Sequence, residues 1–207
     1  MAFNDEFSAP ALDTNKWAPD WFSPAGTMNN VVTDPANVAV ANGELVLTLK
    51  DSTHGALVSS NPNGGAKPGF QFTYGYAEAR MYFPGSNSTI YNWPAWWTDG
   101  QSWPTNGEID IAEGLGTMTS NFHSSSGANN SGTIPGTWSA GYHTYGVNRL
   151  PGKNDVYFDG NLVRSYATND SGAPQYFIIN VGASNQAVYG AASQVKVDYV
   201  RYFTAAP

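Results

Sequence analysis

Along the chain, short stretches of alternating apolar and polar residues recur between clusters of Gly, Pro, Asn, Asp and Ser, the pattern of strands in a sandwich or barrel. Glu44 to Lys50 (ELVLTLK) sets Leu45, Leu47 and Leu49 on one face, because strand side chains repeat every two residues. Gln71 to Phe83 is a longer run in which Gly75 predicts a bend or a close backbone approach. Asp155 to Phe158, Asp159-Gly160 and Asn161 to Arg164 read as a hairpin, since a type I′ turn needs positive φ at both central residues. Gln194 to Phe203 alternates again, with Val195, Val197 and Tyr199 expected on one side. Pro35, Pro62, Pro84, Pro151 and Pro174 fall at segment edges, where a residue that cannot donate to a ladder belongs. No repeat, linker or shift in composition interrupts the pattern. The predicted fold is all-β, one domain over residues 1–207, built from two stacked antiparallel sheets.

Composition narrows the partners. Aromatics reach 14% and charged residues only 12%, which excludes disorder. The net charge is −7 and the nine Lys and Arg are scattered, so a nucleic-acid partner is not expected. No stretch approaches the ~18 apolar residues that span a bilayer, and no membrane partner is expected. An acidic, tryptophan-rich surface suits a neutral ligand such as a sugar, whose C–H faces stack on rings while its hydroxyls meet Asn, Asp and Glu. With no cysteine there is no thiol nucleophile, thiolate metal site or disulfide framework. Met1-Ala2 leads straight into polar sequence, so an exported protein would stand here as a mature form with an added start. A secreted monomer is expected.

The chemistry concentrates at residues 103–114, Trp-Pro-Thr-Asn-Gly-Glu-Ile-Asp-Ile-Ala-Glu-Gly. The chain has 16 acids, and three of them (Glu108, Asp110 and Glu113) fall within six positions. On a regular strand Glu108 and Asp110 share a face while Ile109 and Ile111 point into the core. Glu113 lies at an odd offset of five from Glu108, so an unbroken strand would bury it with the isoleucines. One extra residue at Ile111-Ala112, a β-bulge, restores it to the side of Glu108 and Asp110. Two carboxyls about 5–5.5 Å apart would make a retaining glycosidase, and about 6.5–9.5 Å an inverting one.

The run Glu108-Ile109-Asp110-Ile111-Ala112-Glu113 resembles the bulged catalytic signature of glycoside hydrolase family 16, the form of its laminarinase-like members. Phe3 to Phe7, Tyr74 to Arg80, Trp93 to Trp97, Tyr142 to Tyr145 and Val197 to Arg201 resemble further family segments in the family's order. The resemblance implies a jelly-roll β-sandwich of two curved antiparallel sheets with a concave substrate cleft. It implies Glu108 as nucleophile, Glu113 as acid/base, and Asp110 as the hydrogen-bonding residue between them. It places Trp97 and Trp103 in the sugar cleft, leaves Trp93 open between cleft and core, and suggests His123 beside the nucleophile and Asn180 reaching in from the far side. It implies no cofactor for catalysis. Many relatives carry a structural calcium, whose ligands map onto the backbone oxygens of Glu6 and Gly43 and the side chain of Asp198; oxygen-only ligation suits that hard cation.

The chain departs from the usual laminarinase text at Tyr76, at Thr98-Asp99 and at Asn148-Arg149. The expected activity is therefore endo-hydrolysis of a β-1,3- or mixed-linkage β-glucan, with a galactan or another β-linked glycan as the alternative polymer. A non-catalytic lectin is the alternative from another class, and it would have no need of both glutamates with the aspartate between them.

Overall fold

The computed structural model describes residues 1–20, 27–28, 31–63, 68–86, 88–125, 127–190 and 193–205. Period-two alternation gives each strand one apolar face, and two sheets bury those faces against each other. The outer sheet runs, in spatial order, β16 (Asn161–Ala167), β15 (Lys153–Phe158), β14 (Tyr142–Leu150), β7 (Gly75–Tyr82), β18 (Gln194–Phe203), β5 (Glu44–Thr48) and β4 (Val38–Ala41). β1 (Phe3–Asp5) joins β18 beyond the end of β5. The inner sheet runs β13 (Gly127–Thr133), β12 (Thr117–Ser124), β11 (Glu108–Leu115), β10 (Trp93–Gly100), β17 (Gln175–Gly182), β6 (His54–Ser59), β3 (Val31–Thr33) and β2 (Thr27–Met28). Its pairings are antiparallel except β3 with β6. A short hairpin, β8 (Gly85–Ser86) with β9 (Thr89–Ile90), stands apart, and among the described residues the one helix is the 3-10 turn Pro35–Asn37.

Leu45, Leu47 and Leu49 are fully buried between the sheets, as the alternation predicts. Trp96, Ile109, Ile111, Phe177 and Ile179 bring the inner sheet to the same core. Asp159 and Gly160 have φ of 48° and 76°, so the hairpin between β15 and β16 turns as its Asp-Gly predicts. Gly75 has φ +130°, and a Cβ there would stand 2.4 Å from the Phe203 carbonyl oxygen, which is the close approach expected of it.

Tyr199 is a correction. It is not on the side of Val195 and Val197, because β18 bulges at Asp198: Val197 pairs with Met81 and Tyr199 with the next residue back, Arg80. The extra residue turns Tyr199 outward, where Arg201 lies 3.7 Å above its ring, and sends Val200 and Tyr202 into the core instead.

The bulge that decides the site lies in β11. Asp110 pairs with Asn121 and Glu113 with Thr119, so Ile111 and Ala112 together face the single residue Ser120. Across the other edge, Trp97 pairs with Asp110 and Trp96 with Ala112, which leaves Ile111 over. The bulge has its own supports on β12: Ser120 Oγ donates to the Asp110 carbonyl at 2.8 Å and Thr119 Oγ1 to the Glu113 carbonyl at 3.3 Å. Ser120→Ala leaves a buried carbonyl short of a partner and should lower stability by about 1–3 kcal/mol, which denaturant unfolding will measure.

Candidate active site

The cross-strand register sets which side chains meet on the outward face of the inner sheet. Asp99 on β10, Glu108 on β11 and His123 on β12 are successive partners, and one step on come Trp97, Asp110 and Asn121. Past the bulge Ala95 pairs with Glu113. Glu108, Asp110 and Glu113 thus share a face while Ile109, Ile111 and Ala112 are buried in the core, as the parity argument requires.

Each carboxylate has its own donors. Trp93 Nε1 donates to Glu113 Oε1 at 2.7 Å, and Asn121 Nδ2 donates to Oε2 at 2.7 Å. Ser131 Oγ in turn donates to Asn121 Oδ1 at 2.6 Å and fixes which end of the amide faces Glu113. Glu108 takes hydrogen bonds from the Trp103 indole and from Asp110. Trp103 is itself 61% exposed, so its ring is open to solvent beside the carboxylate. His123 Nε2 lies 3.2 Å from Asp110 Oδ2 and 3.9 Å from Glu108 Oε1. Glu108, Asp110 and His123 form a three-group cluster of the kind that can hold a metal ion, with ligand atoms within 4.8 Å, but these same atoms are engaged with one another.

Burial and crowding raise the proton affinity of each member of this cluster. Burial raises Glu108, against the pull of the His123 charge and the Trp103 hydrogen bond. Burial likewise pushes Asp110 well above the usual carboxylate range, with its hydrogen bond to His123 opposing and the charges of Glu108 and Glu113 adding. The hydrogen bond to Asp110 lifts His123 to about 9.

Trp93, which the sequence left undecided, is brought to the site through its indole N–H. Trp97 and Asn180 lie on the site's face of the inner sheet but beneath its surface, 6% and 1% exposed. The Asn180 amide accepts from Trp97 Nε1 at 2.8 Å and donates to the Trp93 carbonyl at 3.1 Å. It orients both tryptophans. Beside Trp93 a cavity of about 610 Å³ opens between Leu115, Ala183, Gln186 and Tyr189.

Sequence reasoning missed Asn121 and Asp99. Asn121 sits two residues before His123 and so on its face, a parity that could have found it. Asp99 was visible as a departure from the usual text, without a role. Thr98, Arg149 and Tyr76 serve the structure. Thr98 Oγ1 donates to Gln175 Oε1 at 2.7 Å, and Gln175 Nε2 donates to the carbonyls of Asn106 and Gly107 at 2.8 and 3.0 Å, pinning the approach to Glu108. Arg149 is fully buried, with Nη2 2.7 Å from Asp170 Oδ2. Tyr76 lies over Gly146, where a Cβ would meet its hydroxyl at 2.5 Å.

The expected calcium ligands converge on one gap in the outer sheet. β5 covers β18 along Gln194–Val197 and β1 along Val200–Tyr202, and Asp198 bulges between them. Glu6 follows β1 at this gap and Gly43 lies in the turn entering β5. Arg80 Nη1 already donates to Asp198 Oδ2 at 2.7 Å, and Arg201 holds the Glu6 carboxylate at 2.8 and 2.9 Å. The Glu6 side chain is thus committed elsewhere, and a cation would share Asp198 with Arg80.

Two glutamates aimed from one strand, each with an indole against it, are the equipment of a glycoside hydrolase. The profile of the glycosyl hydrolases family 16 matches residues 26–201, and the chain belongs to that family. It is 29% identical, over 241 aligned residues and 98% of its length, to the keratan-sulfate endo-1,4-beta-galactosidase of Sphingobacterium multivorum. The chain spans about half of that relative, 54% of its length. Among solved structures, the laminarinase of Flavobacterium sp. UMI-01 superposes with a TM-score of 0.79 at 23% identity, covering 98% of this chain and 99% of that one. The non-specific endo-beta-1,3(4)-glucanase SCLam superposes with a TM-score of 0.78 at 25% identity, over 97% of this chain and 89% of that one.

The His123 shift has a definite sign. A histidine raised from about 6.5 to about 9 adds stability that is full below its unfolded value and lost as pH rises through 9. Replacing Asp110 by Asn removes the cause, so the imidazole midpoint, followed by NMR, should fall from about 9 toward 6.5.

Proposed function

We propose that the chain is an endo-acting, retaining glycosidase that cuts a β-1,3- or mixed-linkage β-glucan. The observation that carries this reading is the bulged strand, which turns Glu108 and Glu113 to one face, hydrogen-bonded by the indoles of Trp103 and Trp93. Glu108 attacks the anomeric carbon as the glycosidic C–O bond breaks, and Glu113 gives its proton to the departing oxygen. Glu113 then takes a proton from water, which attacks the anomeric carbon and returns the bond electrons to Glu108. Asp110, held by His123, hydrogen-bonds Glu108 and aims it. Trp103, exposed beside Glu108, offers a ring for a sugar face to stack on.

The glucan is supported by the fit to SCLam at 25% identity. A galactan is the second reading, favoured by the match to the keratan-sulfate galactosidase along 98% of this chain. Either polymer is too large to enter a cell, which supports action outside it. Reducing-sugar release from laminarin, lichenan, agarose and carrageenan separates the two: the first pair should be cut, and cleavage of agarose alone would move the assignment to galactan. Binding without cleavage of any of the four would make the chain a lectin.

Glu108→Gln should lose at least about a thousandfold in kcat, as loss of a nucleophile does, and undiminished hydrolysis would remove its assignment. Glu113→Ala should keep weak turnover on activated aryl glycosides and be rescued by azide as the β-glycosyl azide. An α-azide would assign Glu113 as nucleophile instead.

We further propose that Asp198 and the backbone oxygens of Glu6 and Gly43 hold a structural calcium ion. Calcium at 100 times its Kd adds about 2.7 kcal/mol, equivalent to roughly 5–11 °C in Tm for a domain of this size. Melting with and without chelator measures it, and an unchanged Tm would overturn the site.

A further inference from the structure

Asp99 is a buried acid that the two-step mechanism does not use. It is 3% exposed, on the same face as Glu108 and directly opposite it in the ladder between β10 and β11. Side chains so placed have Cβ atoms about 4.5–5.5 Å apart. Its Oδ1 accepts from the Gly100 N–H at 2.7 Å, and it takes a second hydrogen bond from Tyr176, its partner on β17. The titratable and charged groups facing it are Glu108 from β11 and Tyr176 from β17, with Asp110 and His123 behind Glu108.

We propose that Asp99 is a positioning residue for the nucleophile, standing as the neutral acid beside Glu108 so that the carboxylate released in the second step leaves into a site without a further negative charge. The proposal rests on Glu108 being the nucleophile. In that step water attacks the anomeric carbon, its proton passes to Glu113, and the electron pair of the ester bond returns to Glu108. A neutral Asp99 lets that charge form at little cost. An ionised Asp99 opposes it, because a like charge makes Glu108 more basic and so a poorer leaving group. Burial first, and then the Glu108 charge, raise Asp99 to about 7, so it is mostly protonated in mildly acidic solution and ionises as pH passes neutrality.

The first step responds in the opposite sense, since a more basic Glu108 is the better nucleophile. Asp99 should therefore separate the two kinetic constants on an activated aryl glycoside, for which breakdown of the glycosyl-enzyme sets kcat. In the glycosyl-enzyme Glu108 is an uncharged ester and burial alone raises Asp99, so wild-type kcat should fall at least about threefold around a single ionisation below the free-enzyme value of about 7, while kcat/KM shows no such fall at the same midpoint. Rising pH only improves Glu113 as base, so the acid/base residue cannot produce that fall in kcat.

Asp99→Asn keeps the shape and the acceptor and cannot ionise, so its kcat should show no such fall. Tyr176→Phe removes a donor that favours the ionised form and should move the fall to higher pH; it serves if the Asn variant does not fold. Trapping with a 2-deoxy-2-fluoro glycoside and locating the label by mass spectrometry tests the nucleophile separately. Label on Glu108 together with wild-type kcat profiles in the variants would overturn the role of Asp99 alone. Label on another residue would overturn the reading beneath it.

Discussion

In β11, Ile111 and Ala112 both face Ser120, and the geometry of the site follows from that one mismatch. A strand has two faces, and an offset of five puts Glu113 on the wrong one. The extra residue absorbs the odd step, so a single strand can deliver two isoleucines and an alanine to the core and three acids to the opposite side. The same mismatch would orphan backbone groups in a buried sheet. Ser120 and Thr119 on the neighbouring strand answer the carbonyls that flank it. A bulge at Asp198 works in the same way on the outer sheet, turning Tyr199 outward and Val200 inward.

Aiming acids at one spot carries an electrostatic consequence. Asp110 and Asp99 are buried and Glu108 half-buried near one another, and the largest cause raising each is the loss of water around it. His123 is the cation that makes the cluster tolerable, 3.2 Å from Asp110, and it is held charged by the acids it serves. Glu113 is set apart from this group by the bulge and has donors of its own from Trp93 and Asn121. One strand thereby offers two carboxylates in different surroundings, which is what a nucleophile and an acid/base require.

Four of the positions where the chain departs from its family's usual text are absorbed by a specific contact, and Asn148 has no structural explanation. Arg149 finds Asp170 in a buried ion pair, whose loss on one side would cost about 3–5 kcal/mol. Tyr76 occupies the space over Gly146. Thr98 reaches, through Gln175, the carbonyls just ahead of Glu108. Asp99 alone among them places an ionisable group against Glu108.

The class of fold, the leucine face of β5, the Asp-Gly hairpin and the bulge in β11 were all legible in the sequence, because each follows from local rules of parity and turn conformation. Parity even required the bulge, since no unbroken strand could carry Glu108 and Glu113 together. Parity was misapplied at Tyr199: Arg201 lies at an odd offset of five from Lys196, so an unbroken strand would have turned Arg201 inward with Val195 and Val197, and the bulge at Asp198 reverses the face of both Tyr199 and Arg201. What only the tertiary structure decided was the company each side chain keeps. Asn180 reads in the sequence as a polar group in need of partners, and β10 brings it Trp97 and Trp93. Asp99 reads as an oddity until β11 sets Glu108 opposite it. Which face a residue takes is settled along its own strand, whereas its hydrogen bonds and its charge state depend on strands distant in sequence, whose register no local pattern records.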